Sequence, residues 1–134
     1  MEDREKIDKL ITEHGYEANT ARAYVEAKGK CTYCGKDLFE NLQTYYAAEI
    51  DHILPKSKCP EVAELRENYT LSCNVCNRTK GKESVLKEGE KSFITMLTEH
   101  RQELIDRVKE RIKQKKQEKE TEKTYDEVKK IIQG

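Results

Sequence analysis

The sequence lacks the long apolar run that a membrane span or a secretory signal requires. Its N-terminus, MEDREKIDKL, is charged from the second residue, and no stretch approaches the ~20 apolar residues of a transmembrane helix. Hydrophobic residues make up only 35% of the 134 positions, whereas charged residues make up 39%. We therefore expect a cytoplasmic chain with no membrane partner and a small core, which a bound metal could support.

The chain also lacks a net charge. Its 26 Lys and Arg residues balance 26 Asp and Glu residues, so no overall electrostatic field draws it to nucleic acid. Any attraction to phosphate must therefore come from local clusters of basic side chains.

A disulfide framework is not indicated, because the five cysteines are an odd number at unsuitable spacings. Four of them form two Cys-x-x-Cys turns, Cys31/Cys34 and Cys73/Cys76. Two such turns supply the four thiolates of a structural, tetrahedral Zn²⁺ site with no open position for water. The alternative is four buried thiols without metal. Cys59 has no partner in this scheme, and no role is assigned to it.

Periodicity predicts an α+β chain with helices on both sides of a small core. The expected domains are an N-terminal helical segment (1–29), a central core (30–88) and a C-terminal helical extension (89–134). The expected elements are a helical segment 4–28 that Gly15 either splits into two helices or bends, strands 44–51 and 69–73, a helix from Cys76 to about Leu86, and an amphipathic helix over 90–113. Residues 113–123 have no apolar side chain and predict a solvated helix or a disordered segment.

Two residues with hard oxygen ligands lie at separate places, one at the end of the first predicted strand and one directly after the second Cys-x-x-Cys turn. Asp51 and Asn77 offer the oxygen atoms that Mg²⁺ or Mn²⁺ prefers. His52 follows Asp51 directly, and an imidazole can take a proton from water near neutral pH. Taken singly, each residue has an ordinary structural explanation, because a histidine is often a core residue and Asn77 could simply cap a helix.

Three basic residues follow the second cysteine turn, namely Arg78, Lys80 and Lys82, with no acidic residue between Cys73 and Lys82. They could neutralise the phosphates around a scissile bond. A short basic run can equally be a solvated surface.

The stretch from Ile50 to Gly81 resembles the HNH endonucleases in these residues. IDHILPKS supplies Asp51-His52, ENYTLSC supplies Asn68, and CNRTKG supplies Asn77. Two flanking Cys-x-x-Cys turns are typical of the zinc-bearing branch of that family. The similarity covers residues 29–86 and implies a small ββα-metal, treble-clef-like core with a structural zinc.

The resemblance also implies roles for single residues. His52 would be the general base that activates water, and Asp51 and Asn77 would hold one catalytic divalent ion. Asn68 would fasten the loop that bears His52 without touching metal. Many family members have histidine at the position of Asn77, so the metal preference of this chain is open.

We therefore expect a metal-dependent endonuclease that nicks or cuts duplex DNA. The alternatives are a zinc-stabilised nucleic-acid-binding module without catalysis, and the HNH domain of a larger guide-dependent nuclease. Tyr125, Val128, Ile131 and Ile132 form a weak apolar face that could either dock on a partner or fray. Docking would make residues 90–134 the contact of a homodimer or of a larger nuclease assembly.

Overall fold

The computed structural model describes the backbone of residues 1–118 and 120–134. It describes the side chains of residues 1–117 and 123–134. In these ranges the chain forms two strands and several helices, together with 3-10 turns at Pro60–Val62 and Arg66–Asn68. The strands are β1 (Ala48–His52) and β2 (Tyr69–Cys73). The helices are α1 (Asp3–His14), α2 (Ala18–Glu26), α3 (Leu42–Tyr46), α4 (Asn74–Lys80), α5 (Phe93–Glu99), α6 (Arg101–Glu118) and α7 (Glu120–Gln133).

The N-terminal segment is a pair of helices, α1 and α2. Gly15 ends α1 in the left-handed region, with φ of 69°, where glycine alone lacks a steric penalty. Glu17 then caps α2, because its carboxylate accepts hydrogen bonds from the backbone N–H groups of Asn19 and Thr20. The predicted division at Gly15 is confirmed.

The first strand is shorter than predicted. Residues 44–46 belong to α3, so the prediction of a strand from Thr44 was wrong for these positions. Asn41 caps α3 by accepting from the backbone N–H of Thr44, while the Thr44 hydroxyl accepts from the backbone N–H of Asn41. This reciprocal capping box outweighs the β-propensity of Thr-Tyr-Tyr.

Strands β1 and β2 form an antiparallel pair in which Asp51 lies opposite Thr70 and His52 opposite Tyr69. Helix α4 follows β2 at once, which completes a ββα unit and confirms the predicted fold class. The helix ends at Lys80, because Gly81 leaves helical geometry with φ of 74° and ψ of −162°. The predicted extension of this helix to about Leu86 was therefore wrong.

The C-terminal extension is helical but interrupted. The helix predicted over 90–113 is divided at His100, whose φ of −129° and ψ of 29° end α5 before α6 begins. The described part of 113–123 is helical, and Lys119 lies outside the described residues. The apolar side chains of α7 are exposed, at 64% for Tyr125 and 84% for Ile131.

One apolar cluster connects the cysteine turns, the hairpin and helices α5 and α6. Its fully buried members include Leu38, Ile53, Leu54, Val62, Leu71, Leu97, Leu104 and Val108. Helix α6 also packs along α4, so the extension braces the helix that carries Asn77. Among the described residues, no helix has both the length and the apolar character needed to cross a bilayer.

Candidate nuclease site

The four cysteines of the two Cys-x-x-Cys turns form one cluster. The sulphur atoms of Cys31, Cys34, Cys73 and Cys76 all lie within 4.8 Å of one another. The Sγ atoms of Cys34 and Cys73 are 3.8 Å apart, which equals the edge of a tetrahedron with Zn–S bonds of about 2.3 Å. This is a zinc-type metal site with four protein ligands, as the sequence predicted.

The pKa values of three of these thiols shift in opposite directions. Hydrogen bonds from the thiols of Cys73 and Cys76 lower the pKa of Cys31. The same contacts with Cys31 raise the pKa of Cys73 and Cys76. Without a metal the sulphurs therefore cannot all carry charge together, whereas Zn²⁺ binds the deprotonated thiolate.

The cluster fixes the position of α4 relative to the hairpin. Cys73 ends β2 and caps α4, and its sulphur accepts from the backbone N–H of Cys76 at 3.4 Å. Cys31 and Cys34 belong to the separate turn that precedes α3. A bound zinc ion would therefore lock the helix that carries Asn77 and Lys80 against the strand that carries Asp51.

Asp51, His52 and Asn77 line one open cavity of about 380 Å³. Lys56, Ser57, Lys80, Gly81 and Lys82 also line it. Asp51 and Asn77 come from facing elements, since Asp51 is on β1 and Asn77 on α4. The structure thus places three of the four residues that the sequence proposed for the catalytic site at one cavity, and the fourth, Asn68, does not line it.

The Asp51 carboxylate is buried and already paired. The Lys80 ammonium donates to its Oδ1 at 3.1 Å and to its Oδ2 at 2.9 Å, and also to the backbone carbonyl of His52. The Tyr33 hydroxyl donates to Oδ2 at 2.5 Å. Burial lowers the pKa of Lys80, and the Asp51 charge acts in the opposite direction.

Asn77 is held by a second carboxylate on β1. Its Nδ2 donates to Oε2 of Glu49 at 2.5 Å. Glu49 and Asp51 are two positions apart on the strand, which places them on one face. Asn77 and Lys80 are three positions apart on α4, which also places them on one face. The two pairs, Glu49–Asn77 and Asp51–Lys80, are therefore neighbouring side-chain contacts between β1 and α4.

His52 has no hydrogen bond to its Nε2, although that atom is buried. Its ring packs beside that of Tyr69 across the hairpin, with centroids 4.9 Å apart. A buried nitrogen without a partner costs roughly 1–3 kcal/mol, and such atoms are uncommon in folded proteins. The imidazole ring is thus packed against Tyr69, and its Nε2 makes no hydrogen bond to the protein.

Asn68 fastens the segment that follows His52. It is fully buried, and its side chain accepts from the backbone N–H of Leu54 at 2.7 Å and donates to the Leu54 carbonyl at 3.0 Å. Its Nδ2 also contacts the carbonyl of Val62. These hydrogen bonds hold the loop that follows His52, and the catalytic assignment of Asn68 stays a prediction.

The residues at the cavity suit a hard divalent cation. Asp51 supplies a carboxylate and Asn77 an amide carbonyl, and a bound divalent ion would take the place of the Lys80 ammonium that now contacts both oxygens of Asp51. The carbonyl Oδ1 of Asn77 makes no hydrogen bond within the part of the chain that the structure describes. Carboxylate and amide oxygens are the ligands that Mg²⁺ and Mn²⁺ prefer.

The three basic residues of the CNRTKGK segment do not share one environment. Arg78 and Lys82 are exposed, as contact with phosphate requires. Lys80 is 1% exposed, and its ammonium faces Asp51 instead of solvent. Its assignment to nucleic acid stays a prediction.

Two residues of the site were not selected from the sequence, namely Tyr33 and Glu49. Glu49 could have been found by its spacing, because position 49 shares a strand face with position 51. Tyr33 had no comparable signal, since its contact with Asp51 depends on how the first cysteine turn folds over the hairpin.

A larger cavity lies elsewhere in the described residues. It measures about 670 Å³ between α1, α2 and the segment around Phe39, and it includes none of the residues discussed above. Its lining is largely apolar groups with scattered exposed charges, so volume alone is a poor guide to the chemistry of this chain.

A model of the HNH endonuclease family matches residues 31–83. The matched segment begins at the first cysteine of the metal cluster and ends shortly after α4, so it contains both strands and the cavity residues. The resemblance inferred from the motif is confirmed for this segment. No curated protein and no solved structure matches the chain.

Proposed function

We propose that the HNH endonuclease domain formed by residues 31–83 hydrolyses phosphodiester bonds of duplex DNA with the help of one divalent metal ion. The observation that carries this proposal is the convergence of Asp51, His52 and Asn77 on one open cavity. Metal-assisted hydrolysis requires a base and hard oxygen ligands for the ion. The residues that line this cavity include a histidine whose Nε2 has no protein partner and two residues with such oxygens.

The chain's own residues divide the work. His52 accepts the proton of the attacking water, since no protein group occupies its Nε2. Asp51 and Asn77 would hold Mg²⁺ or Mn²⁺, and the ion, when bound, would stabilise negative charge on the phosphate and the leaving oxygen. Arg78 and Lys82 contact neighbouring phosphates, which position DNA without reading its sequence.

Nicking of supercoiled plasmid DNA tests the proposal. Wild-type protein with Mg²⁺ or Mn²⁺ should convert supercoiled plasmid to open circles, and His52→Ala should lose at least 100-fold in rate, as expected for the loss of a general base. His14→Ala is the matched control, because His14 is exposed at the end of α1. Equal nicking by wild type and His52→Ala would reject the proposed role of His52.

A second function, a zinc-stabilised nucleic-acid-binding module without catalysis, is favoured by one observation. Lys80 occupies both oxygens of Asp51, so the carboxylate is satisfied without any metal. In that case the protein should bind DNA with a strong salt dependence, and neither wild type nor His52→Ala should nick plasmid at any Mg²⁺ or Mn²⁺ concentration.

A further inference from the structure

The contact between Glu49 and Asn77 uses only the NH₂ end of the asparagine amide. Glu49 is half-buried on β1, and its Oε2 lies 2.5 Å from Nδ2 of Asn77. Asn77 lines the cavity that contains Asp51 and His52, whereas Glu49 does not. The carboxylate therefore contacts the amide from outside the cavity.

The chemistry of the two groups fixes the orientation of the amide. A carboxylate only accepts hydrogen bonds, and the asparagine amide has one NH₂ donor and one carbonyl acceptor. Asn77 must therefore present its NH₂ to Glu49. The carbonyl Oδ1 is on the other branch of the same planar group, so it points away from Glu49.

The strand and helix spacing couples this contact to the rest of the site. Glu49 and Asp51 occupy one face of β1, and they meet Asn77 and Lys80 on one face of α4. Any rotation of the Asn77 side chain that brings NH₂ into the cavity would break a hydrogen bond to a charged acceptor, which is worth roughly 1.5–3 kcal/mol.

We propose that Glu49 is a positioning residue that holds the Asn77 amide with its Oδ1 directed at the divalent metal ion. The inference rests on the proposed function, because it needs a metal ion at Asp51 and Asn77. Without Glu49 the amide is no longer held with its carbonyl towards the ion, and its NH₂ group, which repels a cation, can face the cavity instead. Outer partners of metal ligands typically contribute 10–100-fold in metal affinity.

The test is Mn²⁺ binding to the zinc-saturated protein, followed by electron paramagnetic resonance or calorimetry. Glu49→Ala should weaken Mn²⁺ binding about 10–100-fold, with zinc content and melting temperature unchanged. Glu49→Gln keeps an acceptor oxygen at the same distance and should recover part of the affinity. Glu64→Ala is the control, since Glu64 also accepts from a side chain, that of Tyr69, but lies outside the cavity.

A double-mutant cycle separates positioning from direct ligation. If Glu49 acts through Asn77, adding Glu49→Ala to Asn77→Ala should cost little further affinity. Fully additive losses would overturn the inference, because Glu49 would then affect the metal independently of Asn77. Unchanged Mn²⁺ affinity in Glu49→Ala would overturn it as well.

Activity provides the second measurement. Glu49→Ala should need about 10–100-fold more Mg²⁺ for half-maximal plasmid nicking and approach the wild-type rate at saturation. If wild type binds Mn²⁺ and nicks in a His52-dependent manner while Glu49→Ala behaves like wild type, only the role of Glu49 falls. If wild type binds no Mn²⁺, the proposed metal site falls and the inference falls with it.

Discussion

An ammonium group stays inside a protein only when an opposite charge compensates its lost hydration, and Lys80 has such a partner. Its side chain is 2% exposed, and that of Asp51 is 6% exposed. Removal of one member of a buried ion pair leaves the other without compensation, which is typically more harmful than the pair was helpful. Lys80 and Asp51 are therefore a unit, and each residue must be tested with the other in mind.

Lys80→Met should destabilise the zinc-loaded protein by about 3–5 kcal/mol, because the Asp51 carboxylate then remains buried without a counter-charge. Urea unfolding at saturating zinc measures the loss. Lys82→Met, in an exposed neighbour, should change the free energy of unfolding by less than about 0.5 kcal/mol. Adding Asp51→Asn to Lys80→Met should restore part of the stability, and equal stability of the two lysine variants would refute the pairing.

The sequence identified the residues that form a local motif but not the contacts between distant segments. Asp51, His52 and Asn77 follow from residue type and spacing, and they do line one cavity. The partners of Asp51 and Asn77 come from positions 18 to 29 residues away. Such pairs depend on tertiary packing, so the buried state of Lys80 could not be read from a basic run.

At the scale of secondary structure, two arginines of α6 hold the irregular segment between α4 and α5. Arg107 donates to the carbonyl of Val85 and to both carboxylate oxygens of Glu90. Arg111 donates to the carbonyls of Glu83 and Ser84. These contacts satisfy backbone groups that no helix or strand satisfies, and they tie the end of the segment that matches the HNH endonuclease model to α6.

The Arg107–Glu90 pair predicts a pH-dependent contribution to stability. The hydrogen bonds from Arg107 lower the pKa of Glu90 to about 2, from a usual value of 4.5. Since the folded-state pKa is lowered, the stabilisation is complete above pH 4.5 and is lost as the pH falls from 4.5 towards 2. The measurement is the difference in free energy of unfolding between wild type and Glu90→Gln.

That difference should be constant from pH 7 to 5 and should shrink below pH 4.5. Zinc content is measured at each pH, and the two proteins are compared only at pH values where both keep one zinc per chain. Glu88→Gln, in an exposed residue, should show no such trend. A pH-independent difference between wild type and Glu90→Gln would show that the ion pair does not form in solution.

The predicted boundaries of helices and strands were wrong where a local capping or turn signal outweighed the hydrophobic pattern of the side chains. Position 44 looked like the start of a strand, but the capping box between Asn41 and Thr44 begins a helix there. The helix after Cys76 stops at Gly81, whose positive φ is incompatible with a helix. The division at His100 left the apolar period intact, so periodicity alone could not locate it.

At the scale of the whole molecule, only 35% of the residues are hydrophobic, so the apolar core is small. A metal ion bound by the four-cysteine cluster would add the stability that this core lacks. Cys73→Ser should abolish cooperative unfolding, since structural zinc contributes on the order of 10 kcal/mol of folding free energy in small domains. Cys59→Ala is the control, because Cys59 is equally buried but lies outside the cluster.

Zinc stoichiometry and thermal melting by circular dichroism distinguish the two variants. Cys59→Ala should keep one zinc per chain and a single melting transition, and a strong chelator should then remove both. A Cys73→Ser protein that melts at the wild-type temperature would contradict a structural role for the cluster.

The contribution of α7 to the fold should be small, and truncation can measure it. Among the described residues, the last buried side chain of α6 is that of Ile112, and Val128 and Ile132 on α7 are 45% and 75% exposed. A chain of residues 1–117 should therefore keep its zinc and melt within a few degrees of the full-length protein. Truncation before α5 should unfold the chain, because it removes Leu97 and Leu104 from the core. If the melting temperature of the full-length protein rose with protein concentration and that of residues 1–117 did not, α7 would be acting between chains. Only an intermolecular contact makes stability depend on protein concentration.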